Sequence, residues 1–199
     1  MNGRVLPFIC FADLDAKHLR VAVSNQIMRT CSLEDQNLEK AYEERLGSAK
    51  SYAEVWQIVK DSVETALGKH RTGIMLFLDD LPLQLGAYHP VGTNNIVLNR
   101  SRVEVVEAYE KSRVVVNALI YNLLLHEYLH ALGELSEQEV RRFVVLVAKK
   151  CFGSNHTATV VARKSPWVLL RNIPVAAVNP PKRVMEIVRD FEKIGTYVV

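Results

Sequence analysis

His126, Glu127 and His130 stand in the pattern H-E-x-x-H, inside the run Leu123-Leu124-Leu125-His126-Glu127-Tyr128-Leu129-His130-Ala131-Leu132-Gly133. Residues 114–132 are strongly apolar and read as one long helix. On a helix, positions i and i+4 share a face one turn apart, so both imidazoles can reach one metal ion at about 2.0–2.1 Å each. Glu127 sits next to the first ligand without being one. From there it can take a proton from a metal-bound water and hand it to a leaving amine. Placing these three side chains among Leu119, Ile120, Leu123, Leu124, Leu125, Leu129 and Leu132 is costly unless they are paired or ligated. Two other readings stay open. The histidines can be satisfied by hydrogen bonds, with Glu127 on an arginine, or they can hold a metal without catalysis.

A third protein ligand has to come from beyond Gly133, which stops the helix. Glu134, Glu137 and Glu139 are the nearby carboxylates. On a continued helix Glu134 would stand about 12 Å along the axis from His126, so it can bind only if Gly133 turns the chain sharply. Glu139 is expected to serve Ser136 in a capping box, S-x-x-E, that opens the next helix. Glu137 is the preferred third ligand, and Glu186 is a distant candidate. The carboxylates left over are solvated surface charges.

With these residues in place, the sequence resembles the zincin metallopeptidases. His126, Glu127 and His130 match that family's ligand, base and ligand. The resemblance covers about residues 73–140 and implies Zn²⁺, a peptide or protein substrate, and hydrolysis in which Glu127 activates a zinc-bound water. His126 to Gly133 fits H-E-x-x-H-x-x-G, the start of the metzincin pattern. Ser136 stands where that pattern expects a third histidine or aspartate, whereas a glutamate ligand would resemble gluzincins. Tyr88-His89-Pro90 and the strand at residues 95–99 look like the loop and antiparallel edge strand that zincins place above the metal. An unpaired edge there would accept extended substrate as one more strand, with residues 96–98 pairing to its backbone. The competing function is a non-catalytic zinc-binding regulatory or interaction module that retains the H-E-x-x-H helix.

Further candidates are weaker. His89, in a Pro/Gly-rich loop, is either a transition-state donor or ligand, or an exposed loop residue. Tyr88 and Tyr128 could donate to an oxyanion, although Tyr128 lies on another helix face and suits core packing better. Trp56 and Trp167 read as core or subunit contacts, and His18, His70 and His156 as surface residues. Asp79-Asp80 ends a strand. Tyr197, Val198 and Val199 form an apolar tail that can occupy a cleft or merely pack.

The elements that must position these groups follow from periodicity. Residues 6–12 read as a strand and 15–28 as a helix. Residues 38–67 read as two helices broken at Gly47-Ser48, with Gly68 ending the second. Residues 74–78 form a buried strand, 81–94 a long loop and 96–98 a second strand, and residues 101–113 contain helix. The helix opened by Ser136 runs to residue 149, and residues 151–157 are loop-like. Residues 159–162 suggest a strand and 182–194 an amphipathic helix. The expected fold is a mostly helical α+β domain over residues 1–199 with a small mixed or antiparallel sheet. Its zincin-like core covers about residues 73–150, with residues 1–70 and 151–199 packed on it.

Composition limits the partners. Of 199 residues, 49% are hydrophobic and 24% charged, which excludes a disordered chain. Lys and Arg number 25 against 22 Asp and Glu, a net charge of +3 without the basic stripe that nucleic-acid binding needs. No apolar run approaches a membrane span. Three cysteines, Cys10, Cys31 and Cys151, make a poor disulfide framework and suit a reducing, cytoplasmic setting.

Overall fold

The computed structural model describes residues 33–171 and 182–192. Residues 1–37 and 38–199 form two compact units. Of the first, residues 33–37 are helical, and all remaining described elements belong to the second. The strand at 6–12, the helix at 15–28, His18 and the tail from Tyr197 lie outside the described residues.

The order in the second unit is helix α1 (residues 38–48 of this unit), α2 (Tyr52–Leu67), β1 (Met75–Asp79), β2 (Ala87–Tyr88), β3 (Asn95–Asn99), α3 (Arg100–Tyr109), α4 (Arg113–Ala131), α5 (Glu137–Phe152), α6 (Thr157–Lys164), a 3-10 helix (Pro166–Leu170) and β4 (Glu186–Ile187). This is the expected mostly helical α+β fold. The sheet is mixed, in the order β2-β3-β1-β4. β3 runs parallel to β1 and antiparallel to β2, and β4 pairs antiparallel with β1.

Helix α4 is the centre of the core. Its apolar residues face all sides, the signature of a helix packed all round rather than on one stripe, and α2, α3, α5, α6, β2 and β3 all pack against it. Its polar residues are spent on neighbours. The Asn117 side-chain amide donates to the Leu46 and Ala49 carbonyls near the end of α1, at 2.7 and 2.9 Å, and Tyr121 donates to Ser62 on α2 at 2.9 Å. Tyr128 accepts from the Arg71 amide at 2.6 Å and packs edge-on against Trp56, so it belongs to the core, as does Trp56. No helix among the described residues is long and apolar enough to cross a membrane.

Several expectations require correction. β3 is an inner strand, not the edge. β1 and β2 occupy its two sides, so residues 96–98 have no free backbone for a substrate. The loop at 81–94 contains the edge strand itself, β2. Residues 159–162 are helical, because His156 caps α6, accepting from Ala158 N at 3.2 Å, and the buried Ala158, Thr159 and Val161 pack one helical face. His156 is not a plain surface residue either, since its ring stacks on Phe152. Helix α5 continues through Cys151 and Phe152, both buried, which shortens the expected loop. The described part of residues 182–194 forms β4 and turns instead of a helix. The Val188 amide donates to Leu76 O at 2.9 Å, and Asp80, at the end of β1, accepts from Arg183 and Arg100. Those partners hold the Asp80 carboxyl well below the ordinary range. Asp79-Asp80 therefore ends a strand, as expected.

Asn99 joins the sheet to the site-bearing loop. It is fully buried. Its amide donates to the carbonyls of Leu81, Pro82 and Leu85, and its Oδ1 caps α3 by accepting from Arg102 N at 3.2 Å. Asn99→Ala takes the side-chain donor from the Leu81 and Leu85 carbonyls and removes a cap, an expected loss of about 2 kcal/mol. Urea unfolding measures it. A loss within the scatter of ordinary surface substitutions would show that loop 81–85 does not depend on this residue.

Candidate metal centre

The last turns of α4 carry His126, Glu127 and His130 on the face toward a cavity of about 690 Å³. The chain then reverses. Gly133 adopts φ +99, a left-handed conformation open to glycine. The Gly133 and Glu134 amides donate back to the carbonyls of His130 and Leu129, at 2.9 and 3.2 Å. Ser136 caps α5 by accepting from Glu139 N. This short return sets Glu137, the first residue of α5, opposite the two histidines.

Glu137 Oε2 lies 3.4 Å from His126 Nε2, and its Oε1 lies 3.2 Å from His130 Nε2. One ligand atom from each of the three residues falls within 4.8 Å of the others, an arrangement that can hold a metal ion. Ligands about 2.1 Å from a tetrahedral ion stand about 3.4 Å apart, and each imidazole has one oxygen of Glu137 near that distance, a different oxygen for each ring. Each ring is also prepared. The His130 Nδ1–H donates to the Glu134 carbonyl at 2.7 Å, which fixes the tautomer and leaves Nε2 for a metal. Burial lowers the pKa of His126 despite the facing Glu137, which favours the neutral imidazole that a metal requires. For Glu137 burial works upward, but His126 and His130 outweigh it and hold its carboxyl below the ordinary value.

The other carboxylates are occupied elsewhere. Glu134 Oε1 accepts from the Ser136 amide, and Glu139 pairs with Arg142. The expected capping box is therefore half formed, with Glu134 in place of Glu139 on the cap's own N–H. Glu186 sits on β4 and pairs with Arg100.

Glu127 stays out of the cluster. It is 6% exposed and lies next to the ligand set in the cavity wall. Burial, reinforced by the charge of Glu137, raises its pKa to about 8, while the His89 backbone N–H donates to it and works the other way. His89 faces the cavity but does not join the metal cluster, and its Nδ1 is 2.8 Å from Asn95 O. Tyr88 lines the same wall. Sequence reasoning missed three cavity residues, Arg102, Asn122 and Gly86, because their roles arise from contacts between distant elements.

Comparison with known protein families, with curated proteins and with solved structures gives no match.

Two measurements test the centre. His126→Ala and Glu137→Ala should each lower metal affinity about tenfold to a hundredfold or more, whereas Glu134→Ala and Glu139→Ala leave it unchanged. Metal analysis after dialysis reads this, and an unchanged stoichiometry in Glu137→Ala would remove it from the ligand set. The second is a pH dependence. The metal-free folded chain keeps the Glu127 proton up to about pH 8, while the unfolded chain releases it near 4.5. The folded state then binds more protons in that interval, so stability falls as pH rises through it. Unfolding of the metal-free chain at pH 5 and pH 8 should show this loss, and Glu127→Gln should reduce it. Equal slopes in the two proteins contradict the burial of an ionisable Glu127.

Proposed function

We propose that His126, His130 and Glu137 hold a zinc ion and that the chain hydrolyses peptide bonds, with Glu127 as general base and then general acid. The observation that carries this reading is the second carboxylate. Glu127 stands beside the three-residue cluster but outside it, and it is buried. A purely structural zinc site closes its coordination with protein ligands and has no use for a free buried acid alongside.

Bound zinc supplies Lewis acidity toward a carbonyl oxygen and toward water, and its charge favours the ionised form of a neighbouring carboxyl. Glu127 takes a proton from the attacking water and returns it to the leaving amine. Glu134 O keeps His130 in the tautomer that presents Nε2. β2 suits an extended substrate. Asn99 N donates to Gly86 O at 2.9 Å, so by the alternation of strand hydrogen bonds the Ala87 N–H and C=O point away from β3. A peptide can pair with them along the cavity wall.

Zinc-loaded wild type is expected to cleave members of a broad peptide library. Glu127→Gln should keep its zinc and lose at least about a hundredfold in kcat. Zinc-loaded protein that cleaves no peptide is a regulatory or interaction module instead, and iron as the resident metal would redirect the chemistry, since two histidines and a carboxylate also suit Fe(II).

A further inference from the structure

Arg102, in the first turn of α3, is 2% exposed, yet its guanidinium has no carboxylate partner among the described residues. Its Nε and Nη2 make no hydrogen bond to any described residue. Its contact is aromatic: Cζ lies 4.2 Å from the centre of the Trp167 ring. The contrast with Arg100, two residues earlier, is instructive, since that side chain meets Asp80 at 3.1 Å. Burial lowers the Arg102 pKa to about 10, with no acid to offset it. The group is thus a cation at neutral pH, removed from water, with its hydrogen-bonding capacity unused. Such a charge is destabilising by itself.

It faces the cavity of the metal centre. A Cβ on Gly86 would stand 2.9 Å from Arg102 Nη1 and 2.5 Å from Leu123 Cδ2, so only glycine fits between the guanidinium and this point of α4. Leu123 precedes His126 by three residues, about 4.5 Å along the helix axis, and His130 by seven, about 10.5 Å, so this end of the cavity lies one to three extended residues from the two imidazoles. Asn122, in the same wall, has Oδ1 buried and unpaired, an acceptor for an N–H beside that point. The electrostatics agree. Arg102, Arg141, Arg163 and Lys164 line the cavity, while its carboxylates, Glu127 and Glu137, both belong to the metal centre.

We propose that Arg102 anchors a carboxylate of the peptide, one to three residues from the bond presented to the metal centre. This deepens the peptidase reading and rests on it. The planar guanidinium pairs with a carboxylate through two parallel hydrogen bonds, and one negative charge neutralises it fully. The carboxylate comes either from the free C-terminus of the substrate or from an Asp or Glu side chain.

The test uses the full zinc-loaded chain carrying Glu127→Gln, so that binding is read without turnover. Three N-acetylated alanine-rich pentapeptides are titrated by calorimetry: one with a free C-terminal carboxylate, one with a C-terminal amide, and one amide with glutamate as its last residue. At least one carboxylate peptide should bind tenfold or more tighter than the neutral amide, and which one does so identifies the source. Adding Arg102→Met should reduce that ratio to within twofold without lowering the unfolding temperature, because methionine fills the slot without an unpaired charge. If that protein does not fold, Arg102→Lys, which keeps the charge but not the planar fork, should lose at least threefold of the discrimination. Equal affinity for all three peptides, binding of none of them, or discrimination that survives these substitutions overturns the assignment. Discrimination in a chain whose wild type cleaves nothing removes the peptidase reading and keeps the carboxylate site. Cleavage without discrimination does the reverse.

Discussion

The structure depends on compensating polar groups placed on a helix that is apolar on every side. Helix α4 gives the fold its core, and it gives the same backbone to His126, Glu127 and His130. Each of these has to be stabilised by something that arrives from another element. Glu137 comes from α5 to face both imidazoles, the Glu134 carbonyl receives the His130 Nδ1–H, and the cavity wall at Tyr88 and His89 flanks the buried Glu127. The polar atoms of the site are therefore also the points at which the turn after α4, helix α5 and strand β2 are fixed to the core. Burial near these charges makes their interactions stronger than they would be in water, and makes a missing partner more costly.

The reversal at Gly133 decides which carboxylate becomes the third member. A straight continuation would carry the chain away from His126. A left-handed residue there instead lets residues 133–136 fold back, so that α5 begins beside the last turn of α4. Glu137 is then both the facing carboxylate and the first residue of a helix, where the exposed N–H groups favour a negative charge. Arg71 secures the other side. Its guanidinium donates to the Ala131 carbonyl at the end of α4 and to Asn94 Oδ1 at 2.5 Å. The loop before β3 and the end of the histidine helix are thus tied by one side chain.

Much of this was legible because the signals were local. The pair His126/His130 at helical spacing, Ser136 as a cap, and Gly68 and Gly133 as helix ends all depend on neighbours within a few residues. Glu137 is favoured by its place one residue past Ser136 and by its longer reach, whereas a continued helix would leave Glu134 about 12 Å from His126. What was not legible depends on pairing between distant segments. Residues 182–192 are amphipathic in sequence, but the free edge of β1 and the Arg183–Asp80 contact draw them into a strand. Val160 and Val161 suggest a strand, yet packing on α4 and α5 makes them helical. The inner position of β3 depends on a two-residue partner, Ala87 and Tyr88, too short to stand out in any window. The burial of Arg102 is not legible either, because nothing in its sequence neighbourhood signals it.

The two ends of the cavity are linked by rigid elements rather than by loops. Arg102 is held at its backbone by Asn99, and Asn99 is the last residue of β3, the strand that carries β2 at its edge. Gly86 lies between the guanidinium and Leu123, and Leu123 is on the helix that bears the histidines. The separation between Arg102 and the His126–His130–Glu137 group is therefore set by the rise of α4 and the register of β2 on β3. Sites held this way tolerate little misplacement, and a geometry fixed by helix rise selects ligands by length. Gly86 is the narrowest point in this chain of contacts. Any side chain there would press on Leu123 and Arg102 together, and so would couple the cationic end of the cavity to the helix of the metal centre through a single backbone position.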